Sequence, residues 1–284
     1  MNKKQNNTEL RSILFKHLDG IVLLPSIAAL NKGGIVDLIL QKKSVSLSAI
    51  QNYNQACNLG YINIALRLLS SQGIVLIEKY KDKHDITYSL TEHGKKYLSF
   101  IDLITSFAKL IPFFSNMNHN LFNTSSSKEL LQISTLIKEY KNIKVNKNNV
   151  NIFHNIEGLI IGPFWVAIGM DGLFSDITEK KHLFNNFSGN KELLNQYIQL
   201  LKVMGWLDND KYASLTKKGF FFAKRAMAYG VTVSYLHTFK QFNNLFYGNP
   251  NIMWEKNKNE PEKHVDRTMN VWGSGGAHLA YFKK

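Results

Sequence analysis

Three glycines near the C-terminus, Gly273, Gly275 and Gly276, lie in the stretch NVWGSGGAHLAYFKK with Trp272, Ser274, His278 and Phe282. Glycines at that density let a backbone close round a phosphate or a cofactor. The signal is weak by itself. A nucleotide fingerprint also needs a strand before the glycines, a helix after them and an acidic residue further on. Only eight residues follow Gly276, so no such unit fits. His278, and His264 upstream of it, therefore read as contact or structural residues rather than as a catalytic base. Trp272 reads equally well as a cavity wall and as an anchor for the tail.

Other chemistry is sparse. The single cysteine, Cys57, excludes an internal disulfide and a thiolate-rich zinc site. No basic neighbour or histidine flanks it, so a small half-buried residue is expected. The nine histidines show no H-x-x-x-H spacing, and no metal site is expected. No Ser, His and Asp grouping suggests a hydrolase, although sequence order alone does not reveal a triad.

The elements that must position these residues are repeated. LDGIVLLPSIAALNKGGIVD, from Leu18 to Asp37, returns as IEGLIIGPFWVAIGMDGLFS, from Ile156 to Ser175. Aligning Pro25 with Pro163 puts Asp19 on Glu157, Gly20 on Gly158, Ala29 on Ala167 and Gly34 on Gly172. Further on, Gly73 matches Gly205, Leu90-Thr91 match Leu215-Thr216, and Gly94 matches Gly219. Ordered anchors at similar spacing indicate two copies of one structural unit.

In the first copy a lead-in helix from Glu9 to Leu18 precedes an apolar helix from Ile21 to Leu30, which Pro25 should kink or begin. Gly33-Gly34 stop it, and Ile35 to Leu40 form a short helical turn. Ser46 and Asn58 are placed to cap two further helices. Ile74 to Tyr80 and Asp85 to Leu90 read as strands, the latter from alternation at Ile86, Tyr88 and Leu90. Helices followed by a hairpin make a winged helix-turn-helix, and Thr91 caps the helix after it. The second copy has room only for a very short wing between Gly205 and Thr216. Phe220, Phe221 and Phe222 then open a helix, and they cannot all face one core.

The expected fold class is mainly α with small β-hairpins: two tandem winged helix-turn-helix units joined by helices. The division is a first winged-helix unit over 1–102, a helical linker over 103–152, a second unit over 153–230, and a linking helix with the Gly-rich lead-in over 231–284. Within the linker, LITSFAKLIPFF and ELLQISTLIKEY read as packed helices, and Asn116 to Lys128 and Lys141 to Asn151 as polar loops. VTVSYLHTFKQFNNLFYG reads as one helix with Val233, Leu236, Phe239, Phe242 and Phe246 on an apolar face.

The chain is basic, with a formal charge of +14 over 284 residues, which raises the question of nucleic acid. All but four of the 35 basic residues are lysines, and they are scattered rather than gathered on one helix face. The helix that would enter a major groove carries only Arg67 in the first copy. In the second copy Glu192 offsets Lys191, and Lys202 remains. Phosphate neutralisation supplies much of DNA affinity, so neither is a strong reading head. The longest uncharged apolar run, Gly158 to Met170, is shorter than the roughly 20 residues of a membrane span. The N-terminus lacks the features of a secretory signal. No membrane association and a cytoplasmic location are expected.

The order of winged helix, apolar linking helix and Gly-rich approach resembles the N-terminal half of bacterial S-adenosylmethionine-dependent methyltransferases of the O-methyltransferase type. HVDRTMNVWGSGGAHLAYF looks like the segment leading into the Rossmann-like core in a subset linked to polyketide assembly. The LT-x-x-G at Leu90 to Gly94 and Leu215 to Gly219 is similar too. The resemblance implies dimerisation, here a homodimer, and a cover over the cavity of a small-molecule or carrier-bound acceptor. It implies S-adenosylmethionine as cofactor and makes Trp272, Gly273, Ser274, Gly275, His278 and Phe282 the candidate substrate or cofactor contacts. The family's next element, a strand ending in an acidic residue before a Gly-x-Gly turn, does not occur before Lys284. The chain is therefore expected to be inactive alone, without the core that binds the cofactor. The rival expectations are a tandem winged-helix transcriptional regulator and a non-enzymatic docking protein.

Overall fold

Two long apolar helices cross at a pair of glycines, and the other elements are arranged round that crossing. The computed structural model describes residues 7–78, 85–123, 127–143, 145–146, 149–175, 177, 183–184, 187–209, 214–254 and 262–282. The first copy contains α1 (Asn7–Lys32), α2 (Ile35–Lys42), β1 (Ser44–Ser46), α3 (Leu47–Tyr53), α4 (Leu59–Ser71), β2 (Val75–Ile77), β3 (Thr87–Leu90) and α5 (Glu92–Leu98). Next come α6 (Ile101–Ala108), α7 (Ile111–Ser115), α8 (Met117–Phe122) and α9 (Ser127–Asn142). The second copy holds α10 (Val150–Met170), α11 (Lys191–Val203), α12 (Lys217–Ala223) and α13 (Ala226–Ser234). The chain continues through α14 (Leu236–Phe239), α15 (Phe242–Tyr247), a 3-10 turn at Pro250–Met253 and α16 (Arg267–Phe282). The fold is mainly helical with a winged-helix sheet, as the sequence indicates.

The duplication is visible in backbone detail. Gly34 and Gly172 take φ of 76° and 84°, and Gly73 and Gly205 take 68° and 70°. These left-handed values favour glycine and end the preceding helices at matching points. Thr91 Oγ1 accepts from the Gly94 amide and donates towards the carbonyls of Gly73 and Ile74. Thr216 repeats this with Gly219, Gly205 and Trp206. A Cβ on Gly94 would lie 1.9 Å from the Ile74 carbonyl oxygen, and one on Gly219 2.0 Å from that of Trp206. The LT-x-x-G signature is thus a helix cap locked under a wing.

The crossing of α1 and α10 has the same symmetry. A Cβ on Gly20 would come 2.2 Å from the Asn155 carbonyl oxygen, and one on Gly158 2.2 Å from that of His17. In the repeat alignment Gly20 matches Gly158 and His17 matches Asn155. Each glycine therefore seats the partner helix at the position equivalent to its own helix's contact. The helix after each wing reaches across to the other copy. Tyr97, three residues past Gly94, donates to Asn155 Oδ1 at 2.8 Å. Phe222, three past Gly219, packs on the His17 ring with centroids 5.1 Å apart.

Several expectations need correction. Pro25 does not begin a helix, because α1 runs through it from Asn7 to Lys32. A proline in a helix interior costs about 3 kcal/mol. Leu23, Leu24, Ile27 and Leu30 beside it are fully buried, and full burial stabilises by about 1.5–3 kcal/mol per side chain. Packing therefore outweighs the lost hydrogen bond. The wing is a three-stranded antiparallel sheet of order β1-β3-β2, pairing Val45 with Tyr88 and Val75 with Leu90. The strand before α3 was not anticipated. Residues 79–84 of the expected hairpin lie outside the described residues.

Asn116 to Lys128 contains α8 rather than only loop, and α10 begins at Val150. The expected single helix from Val231 to Gly248 is divided among α13, α14 and α15. Among the described residues the second wing has one bridge, Leu207 to Leu215. Of the three phenylalanines, Phe221 and Phe222 are buried and Phe220 is partly covered. Both α1 and α10 are long and apolar enough to cross a membrane by length and composition. Most of each apolar stretch is buried within this chain, which accounts for its composition.

Candidate functional site

At the α1–α10 crossing the core encloses charge. His17 is fully buried, the Glu157 side chain is 7 % exposed, and His154 is 18 % exposed. Glu157 Oε2 lies 3.3 Å from His17 Nε2 and 3.0 Å from His154 Nδ1. Its other oxygen accepts from the Tyr140 hydroxyl of α9 at 2.6 Å. His17 Nδ1 is 2.7 Å from the Tyr229 hydroxyl of α13. An ionised carboxylate only accepts, so both histidines donate to it. His17 Nδ1 is then left to accept from Tyr229.

Each side chain is held by a different element. His17 lies on α1 against the rings of Trp206 and Phe222, the former stacked at 5.7 Å. His154 and Glu157 are three residues apart on α10, and that spacing puts them on one face. Lys218 enters from α12 and donates to the Met204 carbonyl at 3.0 Å.

The electrostatics follow from burial set against partners. Burial pushes the Glu157 carboxyl up, but the hydrogen bonds from His154 and His17 and the charge of Lys218 outweigh it. The net shift is well below the usual carboxylate range. Burial lowers His17, against the opposing pull of Glu157. Burial also lowers Lys218. Burial raises Tyr229 and Tyr140, reinforced by the charge of Glu157, so both phenols stay neutral. The cluster thus holds a carboxylate anion against the neutral His17 imidazole.

No H-x-x-x-H spacing marks this cluster in the sequence. His17, His154 and Glu157 offer three ligand atoms within 4.8 Å of one another. One signal was available: His154-x-x-Glu157 is a helical i, i+3 pair in an apolar block. His17 lies 140 residues from Glu157, and only tertiary packing brings it in.

A second feature is a cavity of about 510 Å³ between α1, α6, α7, α14 and α15. Pro25, Ala28, Ala29, Ile111, Phe239 and Phe242 form apolar walls, with Lys32, Lys109 and Lys240 also lining it. Thr105 lines it as well, and its buried Oγ1 has no hydrogen-bond partner among the described residues. A larger cleft of about 610 Å³ is walled by charged groups including Glu262, Lys263, Asp266 and Arg267.

The C-terminal candidates are placed differently. The Gly-rich stretch is helical, inside α16. A Cβ on Gly273 would lie 2.6 Å from the Val231 amide nitrogen, and one on Gly276 2.4 Å from Met227 Sδ. These glycines let α16 approach α13 closely. Trp272 packs on Gly169 and Gly230, so it anchors the tail on the second unit. Ser274 Oγ bonds back to the Val271 carbonyl, while Gly275 and His278 are exposed. The Phe282 side chain lies outside the described residues. Cys57 is buried, more fully than expected.

Comparison with known proteins gives two matches. Residues 10–77 match a family model described as the AprA N-terminal domain. Residues 157–249 match one described as the AprA winged helix domain. The second match begins at Glu157 and runs past residue 230 through α15. No curated protein matches the chain. The chain carries AprA-family N-terminal and winged helix domains.

Proposed function

We propose that this chain is the packing and acceptor-facing part of an S-adenosylmethionine-dependent methyltransferase, with methyl transfer performed by a separate core. The cavity beside Pro25 carries the reading. A cavity of about 510 Å³ with apolar walls, lysines at hand and a Thr105 hydroxyl unpartnered among the described residues suits a small acyl acceptor with a polar or anionic end. A carrier-bound polyketide intermediate is one acceptor of that chemistry. The role of the chain is to align acceptor with donor, which lowers the entropic part of the barrier.

The winged helices support this use over duplex recognition. The exposed face of α4 presents Gly60, Ile64, Arg67 and Ser71, and that of α11 presents Lys191, Glu192, Asn195, Gln199 and Val203. One cation per face, the second beside Glu192, offers little to a phosphate backbone. The opposite faces are spent on the core.

The test pairs ligand titrations on the whole chain. An acyl-pantetheine thioester is expected to bind, and Ala28→Trp, which fills the cavity, is expected to abolish binding. S-adenosylmethionine is expected to give no heat, and duplex DNA no retention at low salt. Tight S-adenosylmethionine binding would overturn the division of labour. Salt-sensitive DNA retention without thioester binding would favour the regulator.

A further inference from the structure

We propose that His17, His154 and Glu157 form a site for one divalent transition-metal ion, zinc by ligand type, that ties the two repeat copies together. Two imidazoles and one carboxylate are a donor set that zinc accepts. Ligands 2.0–2.1 Å from a tetrahedral zinc stand roughly 3.3 Å apart. Glu157 Oε2 already lies 3.3 Å and 3.0 Å from the two facing imidazole nitrogens. The two imidazole nitrogens lie within 4.8 Å of each other, so an ion at the centre has only to draw the rings together on that edge.

The surrounding groups match an outer coordination shell. With metal on His17 Nε2, the imidazole proton resides on Nδ1 and is donated to the Tyr229 oxygen, 2.7 Å away. His154, bound through Nδ1, carries its proton on Nε2. In the metal-bound site each imidazole carries one proton, on the ring nitrogen facing away from the ion. Tyr140 holds the second oxygen of Glu157. Such partners orient metal ligands and raise their affinity. The partial exposure of His154 gives the ion a route from solvent. Lys218 is the opposing group, since its ammonium is close enough to interact with Glu157.

The experiment uses the whole chain, stripped with a chelator and dialysed against zinc or cobalt(II). One equivalent is expected to bind, with visible d–d absorption from cobalt and a raised Tm. His154→Ala is the main variant, because the half-covered ring is removed while the His17–Glu157 bond stays. It should weaken binding at least tenfold while the metal-free Tm changes by only a few degrees. Glu157→Gln should weaken it further, and Lys218→Met should tighten it several-fold. Absence of cobalt absorption, or affinity unchanged in both His154→Ala and Glu157→Gln, would overturn the site. Neither outcome depends on whether the acyl cavity is occupied.

Discussion

The two copies share a backbone plan and differ in what their central helices carry. In α1 the acid equivalent to Glu157 is Asp19, which is partly exposed and accepts from Gln72 Nε2 at 3.2 Å. In α10 the acid is one methylene longer and buried among two histidines and a tyrosine. The residue equivalent to His17 is Asn155, whose amide is satisfied by Tyr97 and the Lys16 carbonyl. Among the described residues the first copy has a three-stranded wing, and the second has one bridge. One copy thus retains the fuller sheet, and the other supplies the charged cluster's acid. A duplicated frame let the equivalent positions diverge because the glycine crossing holds the helices in register regardless.

The largest effect should come from breaking that crossing. Gly20→Ala and Gly158→Ala each force a methyl against backbone, which cannot rotate away. Overpacking costs typically about 1–3 kcal/mol and occasionally more, and both variants should reach or exceed the upper end. Urea denaturation of the two should give matching losses if the crossing is symmetric. A large loss in one copy only would break the comparison.

The second test separates the copies by pH. His17 is held neutral, with its folded pKa lowered. Its contribution is therefore full above the unfolded value of about 6.5 and is lost as pH falls towards the folded value. Glu157 behaves likewise from about 4.3 downwards. Between pH 7 and 5, with chelator present, unfolding free energy should drop with a slope approaching about 1.4 kcal/mol per pH unit from His17. His17→Asn, which copies the second repeat, should remove that part of the slope. An unchanged slope would show that His17 is charged in the folded protein.

Smaller effects sharpen the comparison at the caps and the tail. Thr91→Val and Thr216→Val should each cost about 1 kcal/mol as lost N-caps, measured by thermal melting. The similar values would show that the cap works alike under a full wing and under a single bridge. Gly275→Ala should instead stabilise by about 0.5–1 kcal/mol. It lies in α16, where an added Cβ meets nothing within 4 Å.

The caps at Ser46, Asn58 and Thr91 were legible because their hydrogen bonds are local. The passage of α1 through Pro25 was not, since a local helix-breaking cost was outweighed by burial contributed from distant elements. The C-terminal glycines suggested a loop for a similar reason. Their purpose, close approach to α13, exists only after the chain has folded back.

By itself the sequence determined the duplication, the winged-helix plan and the glycine stops, because these rest on spacing and on backbone conformations set within a few residues. Only the tertiary structure decided that Gly20 and Gly158 face each other's helices and that His17 meets His154 and Glu157. Those contacts join residues some 140 positions apart. Nothing in local periodicity records which face of one buried helix will lie against another.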